Sequence, residues 1–341
     1  MMRAPRFRYH AATSVADAAA ALASEEQAML LAGGTDLVPN MKRRQQTPSL
    51  VIGLRGVAEL KAIRNGSGLS LGACATLAEV AAHPKVASGY AALAKAAGSV
   101  ATVHLRNMGT LGGNLCLDTR CNYYNQNHEW RRAIDFCMKA PKGTDGHACT
   151  SPDGTSICWV ATSSPKCWAV SSTDTAPALI ALGAEVTLAS AKGERRIRLE
   201  ELYANDGMAY LTKRRDELLT HVHLPAVGRE PSAVSRSTYW KLRRRGSFDF
   251  PVLGVAAAVT FGAHGVVTAA RVVLGAVASC PVLVPESATL VGQQLNDDVI
   301  RGFADACWKQ ARPLDNTDFD LAWRKKVVKS YVVGALKELR G

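Results

Sequence analysis

Six of the nine cysteines in this 341-residue chain fall between residues 116 and 167. That window is rich in Gly, Pro, Asp, Ser and Thr and poor in aliphatic residues. Residues 135–158 read "DFCMKAPKGTDGHACTSPDGTSIC". A stretch so short of apolar side chains has too little hydrophobic burial to offset the entropy of ordering it. Irregular loops of this length are uncommon in compact domains unless something binds them. Thiols inside a cell stay reduced, so clustered cysteines there point to metal or redox chemistry rather than disulfides. Cys74, Cys280 and Cys307 stand alone in apolar or helical surroundings and read as small core residues.

The rest of the chain has ordinary globular proportions, 48% hydrophobic and 21% charged, and is long enough for two or three domains. No apolar run is long enough to span a bilayer. The N-terminus is basic and then alanine-rich, without the compact apolar core and cleavage site of a signal peptide. The expectation is a cytoplasmic protein with no membrane partner. The net charge of +12 comes in short clusters such as Lys42-Arg43-Arg44, Lys213-Arg214-Arg215 and Arg243-Arg244-Arg245. No basic helix interleaved with stacking aromatics accompanies them. Nucleic acid is therefore not expected, and the clusters read as a surface for acidic partners or an anionic cofactor.

Periodicity and turn residues predict a helix over 14–23, then a strand running into a glycine pair at "QAMLLAGGTDL". A strand ("PSLVIGLRGV") and a strand–turn–helix ("GLSLGACATLAEVAAHP") follow. A long alanine-rich helix then enters a second glycine turn at "RNMGTLGGNL". Beyond the cysteine window, "WAVSSTDTAPALIALGAEVTLAS" reads as strand, capped helix and strand, and "DELLTHVHLPA" as a strand closed by Pro225. Polar residues 226–236 mark a domain boundary. After it, "SFDFPVLGVAAAV" reads as a helix, followed by a hairpin around Ala263-His264-Gly265 and an amphipathic terminal helix. The fold class is α+β with mixed sheets, not a regular βαβ series.

The glycine turns carry chemistry. Consecutive glycines let backbone approach a ligand, and their N–H groups can form an anion-binding nest. Gly33-Gly34 with Thr35, and Gly112-Gly113 between Thr110 and Asn114, supply two such cradles. Neither fits the dinucleotide fingerprint or the P-loop. One alone reads as a tight turn; the pair suits a ligand with two phosphates.

"AGGTDLVPNMK", "GACATLAEV", "RNMGTLGGNL", "STDTAPALIALGAEV", "WKLRRRGSFDFPVLGVAAAV" and "GAVASCPVL" occur in that order. The chain thereby resembles, end to end, the FAD-binding medium subunits of the molybdenum hydroxylases, the xanthine dehydrogenase and carbon monoxide dehydrogenase group. The resemblance implies a two-part FAD-binding domain of the vanillyl-alcohol-oxidase (PCMH) type over residues 1–228 and a C-terminal α+β domain over 232–341. It implies that Leu30, Leu31, Ala32, Gly33, Gly34, Thr35, Asp36 and Leu37 wrap the FAD pyrophosphate. Thr110, Leu111, Gly112, Gly113 and Asn114 would form a second wall near the pyrophosphate and ribityl. Val100 and Leu219 would pack on the cofactor, Asp174 would hydrogen-bond it, and Lys241 would point toward the flavin ring. Each of the last three has a plainer reading: Asp174 as a helix N-cap, Leu219 as core, and Lys241 as part of a solvated basic run.

Most members of that family pass directly from the second glycine turn to the "DTAPAL" helix, whereas here about fifty residues (116–168) intervene. On residues alone the metal stays open. Zinc would take Cys₄ or Cys₃His with His128 or His147, but such sites usually carry a tight knuckle, and the closest spacing is Cys116 to Cys121. An iron–sulfur cluster takes four cysteines at looser spacing, and Trp159 and Trp168, each directly after a cysteine, could shield it. The stretches "NLCLDTRCNYYNQNHEWRRAIDFC" and "CWVATSSPKCWAV" are similar to the 4-hydroxybenzoyl-CoA reductase branch, whose β subunit holds a 4Fe–4S cluster at this place. That similarity implies Cys121, Cys137, Cys158 and Cys167 as ligands, with Cys116 in the flavin wall. The segment around Cys149 departs from that branch in length. Cys158 is preferred because its nine-residue step to Cys167 matches and each is followed by Trp.

The function implied is electron transfer through FAD and a 4Fe–4S cluster. The partners implied are a molybdenum-cofactor large subunit, a small subunit with two 2Fe–2S clusters, and an external carrier, ferredoxin or NAD. The leading expectation is a reductase like that of the 4-hydroxybenzoyl-CoA branch, removing a ring hydroxyl from an aromatic CoA thioester; the alternative is an oxidising member of the family acting on an aldehyde, purine or N-heterocycle. A stand-alone flavoprotein oxidase and a zinc-stapled binding protein are the competing classes.

Overall fold

The computed structural model describes residues 3–140, 157–227 and 234–340. Cys149 and His147, and most of the expected boundary over 226–236, lie outside the described residues.

Strands β1 (Arg8–Ala11), β2 (Ala28–Leu31) and β3 (Leu50–Gly53) form a parallel sheet in the order β1-β3-β2. The helix Val15–Ser24 connects the first two. Ser14 caps it by accepting from the Asp17 N–H, and its Ala18, Ala19 and Leu22 face pack with Ile52 and Leu54 in a small core. Strands β4 (Ile63–Asn65), β5 (Gly68–Gly72), β6 (Glu185–Ser190), β7 (Gly193–Arg198) and β8 (Leu218–Pro225) build an antiparallel sheet in the order β4-β5-β8-β6-β7. The helices Leu77–Ala82, Ala91–Ser99 and Thr175–Ala181 share the largest core with it.

The C-terminal sheet runs β12-β11-β10-β9, from β9 (Val234–Leu242), β10 (Leu253–Phe261), β11 (Val267–Gly275) and β12 (Val282–Leu283). Helices Asp297–Gln310 and Leu321–Arg340 pack with Val255, Ala257 and Val259 of β10, while Ala256 joins the core that holds Thr175–Ala181. Both faces of β10 are thus covered. That explains why "LGVAAAV" reads as helix from sequence: with no polar side there is no two-residue alternation, and alanine favours the wrong element. The hairpin beyond it forms as expected, with His264 in the left-handed region at φ 58°.

Two further expectations change. The long alanine-rich helix breaks after Ser99 and resumes as the short turn Val103–Arg106, with Val100 extended and Ala101 at φ 41°. "WAVSS" forms no strand; Val170 makes one bridge to Arg120. Among the described residues no helix is long and apolar enough to cross a membrane.

Arg324, 1% exposed, locks the terminal helix to the sheet. Its guanidinium donates to the Leu314 carbonyl at 3.0 Å and the Ala276 carbonyl at 2.6 Å, and burial pushes its pKa down to about 10. Arg324→Met would strand both acceptors in the core and should lower stability by roughly 2–4 kcal/mol, read as a shift in urea midpoint.

Candidate cofactor sites

Two backbone bends meet because neither carries a side chain at the contact. A Cβ on Gly33 would lie 1.8 Å from the Met108 carbonyl oxygen, and Gly34 sits at φ 74°, which disfavours any other residue. On the other side, Thr110 bridges to Thr76, and the Leu111 and Gly112 amides donate to the carbonyls of Ala75 and Ala73. A Cβ on Gly112 would lie 2.7 Å from that of Ala73. The bends and the strand β5 exit thus enclose a cavity of about 610 Å³, a normal size for a cofactor site.

Leu30, Leu31, Ala32, Gly33, Gly34, Thr35, Asp36 and Leu37 line this cavity, with Val100, Thr110, Gly112, Gly113, Asn114, Asp174 and Leu219. Leu111 and Lys241 are not on its wall; Leu111 is fully buried behind it. The Thr110 hydroxyl accepts from the Gly113 N–H at 3.1 Å. Asn114 Oδ1 is committed to pinning the next segment, accepting from the hydroxyls of Thr173 and Thr175 at 2.8 and 2.7 Å.

Sequence reasoning left out several wall residues. Arg43, Lys213 and Arg215 bring cations from two of the basic clusters. Arg120 comes from the inserted segment, and Phe248, Asp249 and Phe250 come from the C-terminal domain. The clusters were the available signal for the first three. Nothing local marks the Phe248–Phe250 loop, which closes over Val100 and Ala101 through the Phe248 N–H to Ala101 carbonyl bond.

The wall holds four carboxylates and no histidine among the described residues, and each carboxylate faces a cation. Asp36 pairs with Arg120, Asp118 with Lys139, Asp174 with Lys241 and Asp249 with Arg243. Asp174 holds the N-cap position of the helix Thr175–Ala181 without capping it: its oxygens accept from the Tyr239 hydroxyl at 2.8 Å and Lys241 Nζ at 3.0 Å. Burial raises its pKa despite the partner lysine. Lys241 is not solvated either; its side chain is 4% exposed and also donates to the Ser99 and Asp249 carbonyls. It holds Asp174 and the domain junction from behind the wall.

The inserted segment builds a second site. Cys121, Cys137, Cys158 and Cys167 are all at least 93% buried and ring one small cavity with Tyr123, Tyr124, Met138, Lys139, Trp159 and Val160. Hydrogen bonding between Cys158 and Cys167 draws the Cys158 thiol down and pushes Cys167 up. Burial pushes Cys121 up to about 12. Four thiols converging on one cavity are a donor set that a metal centre can take as thiolates. Trp159 lies on the ring and Trp168 does not; its indole N–H donates to Ser164 Oγ at 2.7 Å. His128 packs edge-on against Phe136, ring centres 5.6 Å apart. Among the described residues no three His, Cys, Asp or Glu side chains close in as a single-ion site.

The two sites share the strip 116–121. Cys116, Leu117, Asp118 and Arg120 face the large cavity, and Cys121 faces the thiol ring. Arg120, 3% exposed, fastens the insert to the first bend through Asp36. Arg131, fully buried, donates to the Arg43 carbonyl at 2.6 Å and adds a second fastening.

The large cavity, lined by glycine bends and cations, is suited to a phosphate-bearing cofactor. The chain belongs to the family described as the FAD binding domain in molybdopterin dehydrogenase, which matches residues 5–227 and is followed by a CO dehydrogenase flavoprotein C-terminal domain over residues 237–339. It is 28% identical over 335 residues to the aldehyde oxidoreductase FAD-binding subunit PaoB of Escherichia coli (strain K12), covering 96% of this chain and 98% of that one. It is 27% identical to the nicotinate dehydrogenase FAD-subunit of Eubacterium barkeri, over 92% and 89% of the two chains. Its fold matches that of a chain in reconstituted CO dehydrogenase from Oligotropha carboxidovorans, with a TM-score of 0.78 at 23% identity and full coverage of both.

Gly33→Ala should separate the bends by overpacking backbone against backbone, costing about 1–3 kcal/mol and most of the bound FAD, read from flavin absorbance per chain. Lys241→Met leaves the Asp174 carboxylate buried and unpaired. It should cost about 3–5 kcal/mol in thermal or urea unfolding, with much of this recovered when Asp174→Asn is added.

Proposed function

We propose that this chain is the medium subunit of a heteromeric molybdenum hydroxylase and carries electrons through FAD in the large cavity and a 4Fe–4S cluster in the thiol ring. The observation that carries this reading is that one strip of backbone, residues 116–121, forms a wall of both sites. Four buried thiols on one cavity are the donor set that an iron–sulfur cluster takes. The ligands are Cys121, Cys137, Cys158 and Cys167. FAD, when bound, exchanges electrons in pairs and an iron–sulfur centre passes them singly.

The chain's own residues supply binding and electrostatics. Amides of the bend at Gly33-Gly34 hold the diphosphate, the Gly112-Gly113 bend lets backbone approach it from the other side, and Arg43, Lys213 and Arg215 offset its charge. Val100 and Leu219 give the cavity apolar wall, and the exposed Phe248 and Phe250 stand at its rim. Among the described residues every wall carboxylate is paired with a cation, so none is free to serve as general base, which favours an electron-transfer subunit over a stand-alone oxidase. The substrate then sits on a molybdenum-cofactor large subunit, with a small subunit bearing two 2Fe–2S clusters between. The domains divide as residues 1–228 and 232–341.

The relatives that align along nearly the whole chain are named for aldehyde and nicotinate oxidation, so we read the enzyme as oxidising an aldehyde or N-heterocycle and passing electrons outward to ferredoxin or NAD. The four-thiol insert favours a second reading, reduction of an aromatic CoA thioester as in 4-hydroxybenzoyl-CoA reductase. Assaying the copurified complex with an aldehyde panel and an acceptor, then with 4-hydroxybenzoyl-CoA and reduced ferredoxin, separates the two. Cys137→Ser and Cys167→Ser should each cut iron per chain severalfold while FAD stays bound. Full iron in both variants would remove the ligand assignment.

A further inference from the structure

Lys139 stands between the two sites. It lines the thiol ring, yet its Nζ donates to Asp118 Oδ1 at 2.7 Å, and Asp118 lies on the wall of the large cavity. The same ammonium donates to Thr119 Oγ1 at 2.7 Å and to the Gly207 carbonyl at 2.6 Å. Tyr124 of the thiol ring and Tyr210 of the large cavity flank it, each with its ring centre 5.2 Å from Nζ. The side chains of Lys139 and Asp118 are 6% and 10% exposed, so solvent screens neither charge well.

We propose that Lys139 is a positioning residue that sets the cluster's reduction potential, its positive charge stabilising the added electron while Asp118 partly offsets that charge. The inference rests on reading the thiol ring as a cluster site. A cluster held by four thiolates gains one negative charge on reduction. A fixed cation in low dielectric favours the reduced form, and a fixed anion beside it disfavours it. Lys139 gives and takes neither electron nor proton in this step. Because Asp118 faces the flavin cavity, the pair also couples the charge states of the two centres across the shared wall. A purely structural staple would not give opposite effects for its two members.

The test is an EPR-monitored reductive titration of the assembled complex, with iron, sulfide and FAD measured per chain. Lys139→Gln keeps hydrogen-bonding capacity and removes the charge. Its midpoint should fall by at least tenfold in the reduction equilibrium, about 59 mV for a one-electron couple. Lys139→Arg should stay near wild type, and Asp118→Asn should shift upward. An iron-loaded Lys139→Gln variant with the wild-type midpoint would overturn the proposal, as would a downward or absent shift in Asp118→Asn. If Lys139→Gln fails to load iron, the sign of the Asp118→Asn shift decides alone. A wild-type complex with no cluster signal would overturn the parent reading instead.

Discussion

The close approach of two backbone bends is the constraint on which the site depends. Gly33 meets the Met108 carbonyl, and Gly112 lies against Ala73, at distances no side chain permits. These contacts place two backbone bends on one cavity while the parallel sheet, the antiparallel sheet and their helices bury apolar faces elsewhere. Packing of this kind is intolerant of even one methyl group. The position of the cofactor is therefore set by the scaffold rather than by mobile side chains.

The inserted segment uses a different source of order. Its small core contains Cys121, Cys137 and Cys167 beside Tyr124, Phe136 and two alanines, too little apolar surface to stand alone. It is tied to the flavin-type domain by Arg120 to Asp36, Arg131 to the Arg43 carbonyl, and Lys139 to Asp118. Each tie is a charged group buried with a partner, costly to break and strict in geometry. The four thiols then meet on one small cavity.

Much of the site was legible from sequence because its devices are local. Diglycine bends next to Thr and Asn announce a backbone cradle, and clustered cysteines in an apolar-poor segment mark the place where four thiols meet on one small cavity. Lys241 and Asp174 were legible as important but not in their roles: their contact spans 67 residues, and no local pattern reports it. Phe248 and Phe250 reach the cavity from the second domain, again through tertiary placement alone. The errors in secondary structure have the same cause. A strand buried on both faces, as β10 is, loses the alternation that identifies strands, and an alanine run broken at Val100 looks continuous until its partner, the cavity, is seen.

The central claim is that one chain holds a flavin and an iron–sulfur cluster on either side of a shared wall. Native mass spectrometry of the protein isolated under strict exclusion of oxygen measures this directly. The account predicts a chain mass raised by one FAD plus one 4Fe–4S unit. A chain carrying FAD with a single zinc ion, or with no metal at all, would contradict it.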